Sequence, residues 1–438
     1  MRRRPGAPGL ALVAGAALLA SLAAPGWAGA TALNERLPNG VTVLVRENVA
    51  APVVAVSLLV RAGERWERED DAGVTNFLHQ VMVKGTARRS ALELAEAAER
   101  IGGSMSASGD TDFSEIRGTA LARHWDRLLE VIADVALRPS LADAEIEKER
   151  RAIIAAIRNR ADQPFQRAFD TLKARLFGAH PYAMPSLGRA AVVDRLGRQD
   201  LLDHYRRYYR GGRVIVSVSG HVGSREVLAA AGRLFGELPA GEGEPDAPPP
   251  PPRSSADRVT VTHPAAQAQV LAGVLGPAIG HPDYAAVKVL STVLGGGMAG
   301  RLFTELRDKQ GLAYSTGALY PSRVQQSFLA AYMGTAPANA ERAEEGMRRE
   351  IERIRAEGVR EEELGRAKAY LLGQFALDRR TNARLAWYQA FFEAAGVGHD
   401  FDERYVRAVE AVTVADLGRV AKAYLGAPTV VNLGPPTK

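Results

Sequence analysis

The 438-residue chain predicts an α+β protein of two related α/β-sandwich lobes joined by a Pro-rich linker. Three observations carry this. The length exceeds one ordinary core, at roughly 150 residues per domain. A stretch at 239–254, containing five consecutive prolines, cannot build a helix or a central strand and should run as an extended spacer near the middle of the chain. The same order of elements can be read on both sides of that spacer.

In the first lobe, 31–238, a strand at 53–61 leads to a helix at 76–84 and then to an edge-like strand at 106–121. In the second, 255–438, a strand at 269–275 leads to a helix at 284–294 and a strand pair at 313–320 and 327–333. Each lobe closes alike. Asp200-Leu201 and Tyr205 precede Val214-Ile215-Val216-Ser217-Val218, while Asp416-Leu417 and Tyr424 precede Val430-Val431. The first closing run is apolar on consecutive positions, which predicts a strand covered on both faces or lying deep in a sheet. Amphipathic stretches at 124–136 and 341–355 supply helices between the strands. Lobes of roughly 200 residues can each bury a core.

Residues 1–30 differ from the rest. Arg2, Arg3 and Arg4 precede an apolar run at 10–24, and Ala28-Gly29-Ala30 offers small residues for cleavage, which reads as a secretory signal peptide. The run is broken by Pro25-Gly26 and is shorter than the roughly 20 residues of a spanning helix. An exported, periplasmic chain without a membrane span after cleavage is expected. The formal charge of +6 includes those three arginines, so the mature chain would carry +3. Its Arg pairs, such as Arg206-Arg207 and Arg379-Arg380, are interleaved with apolar residues and read as solvated helix faces, not as a nucleic-acid surface. The absence of cysteine excludes disulfides, thiolate metal sites and cysteine nucleophiles, and suits an oxidising compartment.

The chemistry-bearing stretch of the first lobe is Gly73-Val74-Thr75-Asn76-Phe77-Leu78-His79-Gln80-Val81-Met82-Val83-Lys84-Gly85-Thr86. Its frame resembles the inverzincin signature H-x-x-E-H, in which two His at i and i+4 share a helix face and the Glu is the general base. Here those positions read Asn76, His79 and Gln80. With its flanking G-x-x-x-F-L and M-x-x-K-G-T, the stretch is similar to the pitrilysin and mitochondrial processing peptidase family. That family takes a third ligand from a Glu in E-R-x-x-(hydrophobic)-x-x-E. The matching run begins at Glu149-Arg150 and places Ala156 where the ligand Glu belongs. A catalytic zinc needs three protein ligands and an open position, and these degenerate positions offer one imidazole. No metal is expected in this chain.

In the second lobe, Gly295-Gly296-Gly297-Met298-Ala299-Gly300-Arg301-Leu302-Phe303 and Leu306-Arg307-Asp308-Lys309-Gln310-Gly311-Leu312-Ala313-Tyr314-Ser315 resemble the family's G-G-x-x-S-R-L-f-x-x-L-R-x-x-x-G-L-x-Y-s run, with Gly300 in place of Ser. Spacing alone would make Arg307 a helix-surface arginine and Tyr314 a core aromatic. The resemblance implies instead a substrate-contacting pair: a guanidinium fork for a peptide carbonyl and a phenol for a developing oxyanion. The glycine run reads otherwise as a helix-terminating loop, and it lacks the Lys of a phosphate-binding loop. His180-Pro181-Tyr182 resembles a structural turn of the family. Gly102-Gly103-Ser104-Met105-Ser106-Ala107 resembles its substrate-pairing edge strand, with Ser106 replacing Asn.

The resemblance implies two lobes facing across a cavity, and a division of labour between chains. The expectation is a zinc-free, non-catalytic subunit of an exported heterodimeric metallopeptidase that supplies Arg307 and Tyr314 to an H-x-x-E-H-bearing partner acting on peptides, the zinc residing in that partner. The alternative is a non-enzymatic structural or peptide-binding protein derived from the same fold.

Overall fold

The computed structural model describes residues 33–243 and 256–436. The expected signal peptide and most of the expected linker lie outside the described residues. The first lobe runs β1 (Leu33–Arg36), β2 (Thr42–Glu47), β3 (Val53–Val60), α1 (Val74–Met82), α2 (Ala91–Arg100), β4 (Ser104–Gly109), β5 (Ser114–Leu121), α3 (Trp125–Leu137), α4 (Asp143–Ala161), α5 (Pro164–Phe177), α6 (Ala190–Val193), α7 (Arg198–Tyr208), β6 (Val214–Gly220) and α8 (Ser224–Phe235). The second runs β7 (Arg258–Thr262), β8 (Ala268–Gly276), α9 (Tyr284–Gly295), a π-helical segment (Leu302–Asp308), β9 (Ser315–Leu319), β10 (Ser327–Thr335), α10 (Ala340–Glu357), α11 (Glu361–Asp378), α12 (Asn382–Ala394), α13 (Phe401–Ala411), α14 (Val414–Tyr424) and β11 (Thr429–Gly434).

The two sheets share one five-strand topology, to which the first adds the edge strand β1. Their strand orders are β1-β2-β6-β3-β5-β4 and β7-β11-β8-β10-β9. In each, the closing strand lies between an early strand, to which it is parallel, and a long central strand, to which it is antiparallel. The repeat seen in the sequence is thus a repeat of pairing. The expected edge-like strand at 106–121 is in fact a hairpin, β4 and β5, in which only β4 is an edge.

Each lobe lends a helix to the other. On β3, Val54, Val56, Leu58 and Val60 face the first lobe's own core with Phe77 and Leu129, whereas Leu59 joins Leu44, Ile215 and Phe391 in a core dominated by the second lobe. On β8, Val270, Ala272 and Val274 face the second lobe's helices, whereas Leu271 packs against Leu172, Leu176 and Phe177 of α5. So α12 covers the outer face of the first sheet and α5 the outer face of the second. The exchange explains the consecutive apolar residues of β3, β6 and β8, since beyond the exposed Val53 at the start of β3 both faces of these strands are covered. The lobes pack directly on one another at this exchange: Phe113 of the first meets Phe391 of the second edge-on at 5.1 Å.

Candidate functional site

The first-lobe helix with the family frame is sealed. Gly73 opens α1 at φ 105°, and a Cβ there would lie 2.9 Å from the Gly188 Cα, so glycine is required on both counts. The Glu67 carboxylate accepts the backbone N–H groups of Gly73 (2.7 Å) and Thr75 (2.9 Å), satisfying donors that a helix start leaves free. Burial pushes Glu67 up to about 7.

His79 is fully buried. Its Nδ1 lies 2.7 Å from the Thr75 carbonyl oxygen, which only accepts, so Nδ1 carries the proton. Its Nε2 then accepts from the Tyr209 hydroxyl at 2.8 Å. Burial lowers its pKa to about 4, so the ring is neutral with both nitrogens engaged. One turn back, Thr75 Oγ1 meets His204 Nε2 at 3.2 Å, and His204 is held down to about 3 by burial first and His79 second.

These residues do not fit a zinc ion. The His79 lone pair is committed to Tyr209, and Asn76 and Gln80 offer amides in place of imidazoles. On α4, Glu149 and Ala156 are two turns apart on one face. Glu149 is buried in an ion pair with Lys84 (3.1 Å), tethering α4 to α1, while Ala156 ends that face as an exposed methyl. Among the described residues no group of three His, Cys, Asp or Glu could hold a metal. The end of β4 also closes on this helix, a Cβ on Gly109 coming 3.2 Å from the Asn76 nitrogen.

The second-lobe segment is open. Gly295 ends α9 against β9, where a Cβ would meet the Ala318 nitrogen at 2.3 Å. Arg301 is buried and forks onto Glu363 of α11 (2.8 and 3.0 Å), pinning the start of the π-helical segment and holding Glu363 down to about 2. Leu302 and Leu306 anchor its inner face at 0% exposure. Arg307 projects outward, its guanidinium 4.8 Å from the Phe303 ring centroid. The chain then turns back: Gly311 N–H donates to the Arg307 carbonyl (3.0 Å) and Tyr314 N–H to the Gly334 carbonyl (2.8 Å). This sets Tyr314 at the head of edge strand β9 with 74% of its surface exposed. The expectation of a core aromatic from spacing alone is therefore wrong, because the residue falls just before the strand pairs.

The two remaining motifs make contacts within the chain. Tyr182 is buried and its hydroxyl donates to Asp112, while the backbone N–H groups of Val324 and Gln325 reach Asp112 and Tyr182 at 3.2 Å each, so the His-Pro-Tyr turn joins the two lobes. Ser106 accepts a hydrogen bond from Arg117 Nε at 3.0 Å. Sequence reasoning missed His204 and Tyr209, whose roles arise from contacts with α1 across about 130 residues of chain, and Glu67, which caps the start of α1 from only six to eight residues upstream. It also passed over Lys288, whose lone charge amid the apolar run of α9 was a usable signal.

Fold and sites together define a chain of metallopeptidase architecture whose metal-binding helix has lost its ligands. The chain belongs to peptidase family M16, the insulinase or pitrilysin family. The family model "Insulinase (Peptidase family M16)" matches residues 42–189, and "Peptidase M16 inactive domain" matches 195–371. A protein of Mycobacterium bovis named an uncharacterized zinc protease is 30% identical over 399 residues, covering 89% of this chain and 90% of that one. Another so named, from Rickettsia felis, is 27% identical over 367 residues, covering 84% and 86%. The crystal structure of a peptidase M16 inactive domain from Pseudomonas fluorescens matches with a TM-score of 0.87 at 21% identity, covering 93% of this chain and 99% of that one.

Proposed function

We propose that this chain is the zinc-free subunit of an exported two-chain metallopeptidase, and that it presents Arg307 and Tyr314 to peptides held at the zinc of an H-x-x-E-H-bearing partner. One observation carries the reading. In a chain whose metal helix is closed by its own side chains, Arg307 on the braced π-helical segment and Tyr314 at the head of an edge strand both remain exposed. The buried Arg301–Glu363 fork and the glycine approach fix the segment, which is what a residue acting on another chain's substrate requires. Arg307 would donate to a substrate carbonyl, and the Tyr314 hydroxyl to the oxyanion that develops as the peptide bond is attacked.

The test is reconstitution. Affinity purification from the native envelope fraction should bring down an H-x-x-E-H chain, and mixing the two should raise peptidase rate above either alone. A chelator should abolish the activity of the mixture and leave the melting temperature of this chain unchanged. Absence of such a partner, together with a stable homodimer, would favour the structural or peptide-binding reading.

A further inference from the structure

A cavity of about 740 Å³ opens among α9, α11, α12 and α13, and no residue of α1 or of the Arg307–Tyr314 segment lines it. Its size falls within the roughly 300–1,000 Å³ of small-molecule sites. The walls are aromatic: Trp387 stacks on Phe391 (4.8 Å) and Phe375 meets Tyr405 (5.0 Å), with Tyr284 and Phe401 beside them.

The charges in the walls are mostly matched. Arg379 lies against the rings of Phe375 and Tyr388 (3.3 and 3.6 Å) and pairs with Asp402 at 2.7 Å. Arg323 pairs with Asp110 at 3.1 Å, and Asp378 with Arg384 at 2.6 Å. Arg380 is exposed at the rim, its Nε donating to the Leu377 carbonyl at 2.7 Å.

Lys288 is different. Its ammonium donates to the Tyr320 carbonyl oxygen at 2.6 Å and lies 5.5 and 5.1 Å from the ring centroids of Tyr284 and Tyr320. An ammonium has three donors, and among the described residues no carboxylate pairs with it. Burial alone pushes its pKa down to about 8. The side chain is half-buried, a charge partly withdrawn from water without a counter-ion carries a desolvation cost, and here the space beside it is a cavity walled by rings.

We propose that this cavity is a ligand site for a monoanionic carboxylate with an aromatic or branched apolar body, the carboxylate accepting from Lys288 and the body lying among the rings of α11, α12 and α13. The two acids in the lining, Asp110 and Asp378, disfavour a more highly charged anion. The shared chemistry is found in free aromatic acids and at the C-terminus of a peptide ending in an apolar residue. The site stands independently of the role given to Arg307 and Tyr314.

The experiment is calorimetric titration of the full chain with four probes: N-acetyl-L-phenylalanine, its amide, and a pentapeptide ending in Phe with a free or an amidated C-terminus. The free acid should bind about ten-fold or more tightly than the amide, the difference expected of a charge-assisted hydrogen bond. Lys288→Met should reduce acid binding to the level of the amide. Leu371→Trp, which fills the lining without touching charge, should weaken the acid and its amide alike. Binding of the free-acid pentapeptide identifies peptide C-termini as the source, and its exclusion identifies small acids; either supports the site. Equal binding of acid and amide, unchanged acid binding by folded Lys288→Met, or no saturable binding of any probe at millimolar concentration would overturn it.

Discussion

The two lobes repeat one pairing scheme, yet their chemistry-bearing segments have gone opposite ways. In the first, several polar groups near the old metal positions have found partners inside the lobe: Glu67 on the start of α1, Tyr209 on His79, Lys84 on Glu149. In the second, the polar partners are spent on bracing the backbone, Arg301 on Glu363 above all, while Arg307 and Tyr314 are left at the surface. The difference teaches that loss of a metal ligand is not neutral. Around the changed ligand positions polar groups are partnered within the lobe, whereas Arg307 and Tyr314 stay at the surface, as the proposed role on another chain's substrate would require.

The largest effect that tests this contrast is catalytic. Arg307→Ala and Tyr314→Phe should each slow the reconstituted two-chain peptidase by roughly 10²-fold, as removal of one oxyanion-type donor does. The melting temperature of the isolated chain should not move, because neither side chain is buried. Unchanged rates with assembly intact would make the pair ordinary surface and erase the contrast.

Tyr209→Phe should do the reverse. It leaves His79 Nε2 without its donor in a fully buried site and should cost about 1–3 kcal/mol of stability. Denaturant unfolding measures that loss. Peptidase rate in the assembled complex should stay at the wild-type level, and a large drop would mean that the sealed helix still serves catalysis.

A smaller effect follows from titration around α1. His79 and His204 have native pKa values near 4 and 3, below the ordinary 6.5, so the unfolded chain binds more protons as pH falls. Their contribution is complete above pH 6.5 and is lost as pH falls toward 4 and then 3. Glu67 has the opposite sign: its native value near 7 exceeds 4.5, so its contribution is complete below pH 4.5 and is lost as pH rises through 7. Glu67→Gln removes the opposing group. The variant should therefore lose more stability than wild type between pH 7 and pH 5, by at least ~1 kcal/mol, or roughly 2–4 °C for lobes of this size. Parallel melting curves for the two proteins would refute the assignment. Smallest of all, Ala156→Ser should change stability by less than about 0.5 kcal/mol, since the position is exposed and no ligand role survives there.

Much of this was legible along the chain. The repeat is a matter of residue type and order, which local rules carry, while the changed ligand letters at Asn76, Gln80 and Ala156 and the pairing of Arg307 with Tyr314 were legible through the resemblance of their flanking residues to the family motifs. The exposure of Tyr314 was not legible from spacing alone. An aromatic beside a predicted strand reads as core until the register of β9 on β10 shows that pairing starts at Ser315.

What the sequence by itself determined is the class: an α+β chain of two related halves, one bearing a metal helix without ligands and the other an Arg–Tyr run. Tertiary structure alone decided that α5 and α12 are exchanged between the halves, that Tyr209 closes on the old metal helix, and that Lys288 faces a ring-walled cavity with no carboxylate partner among the described residues. The physical reason is range. Periodicity and motif spacing report what a residue does within a few turns of its own backbone. Burial of a strand's second face, or of a single charge, depends on which distant helix comes to rest there.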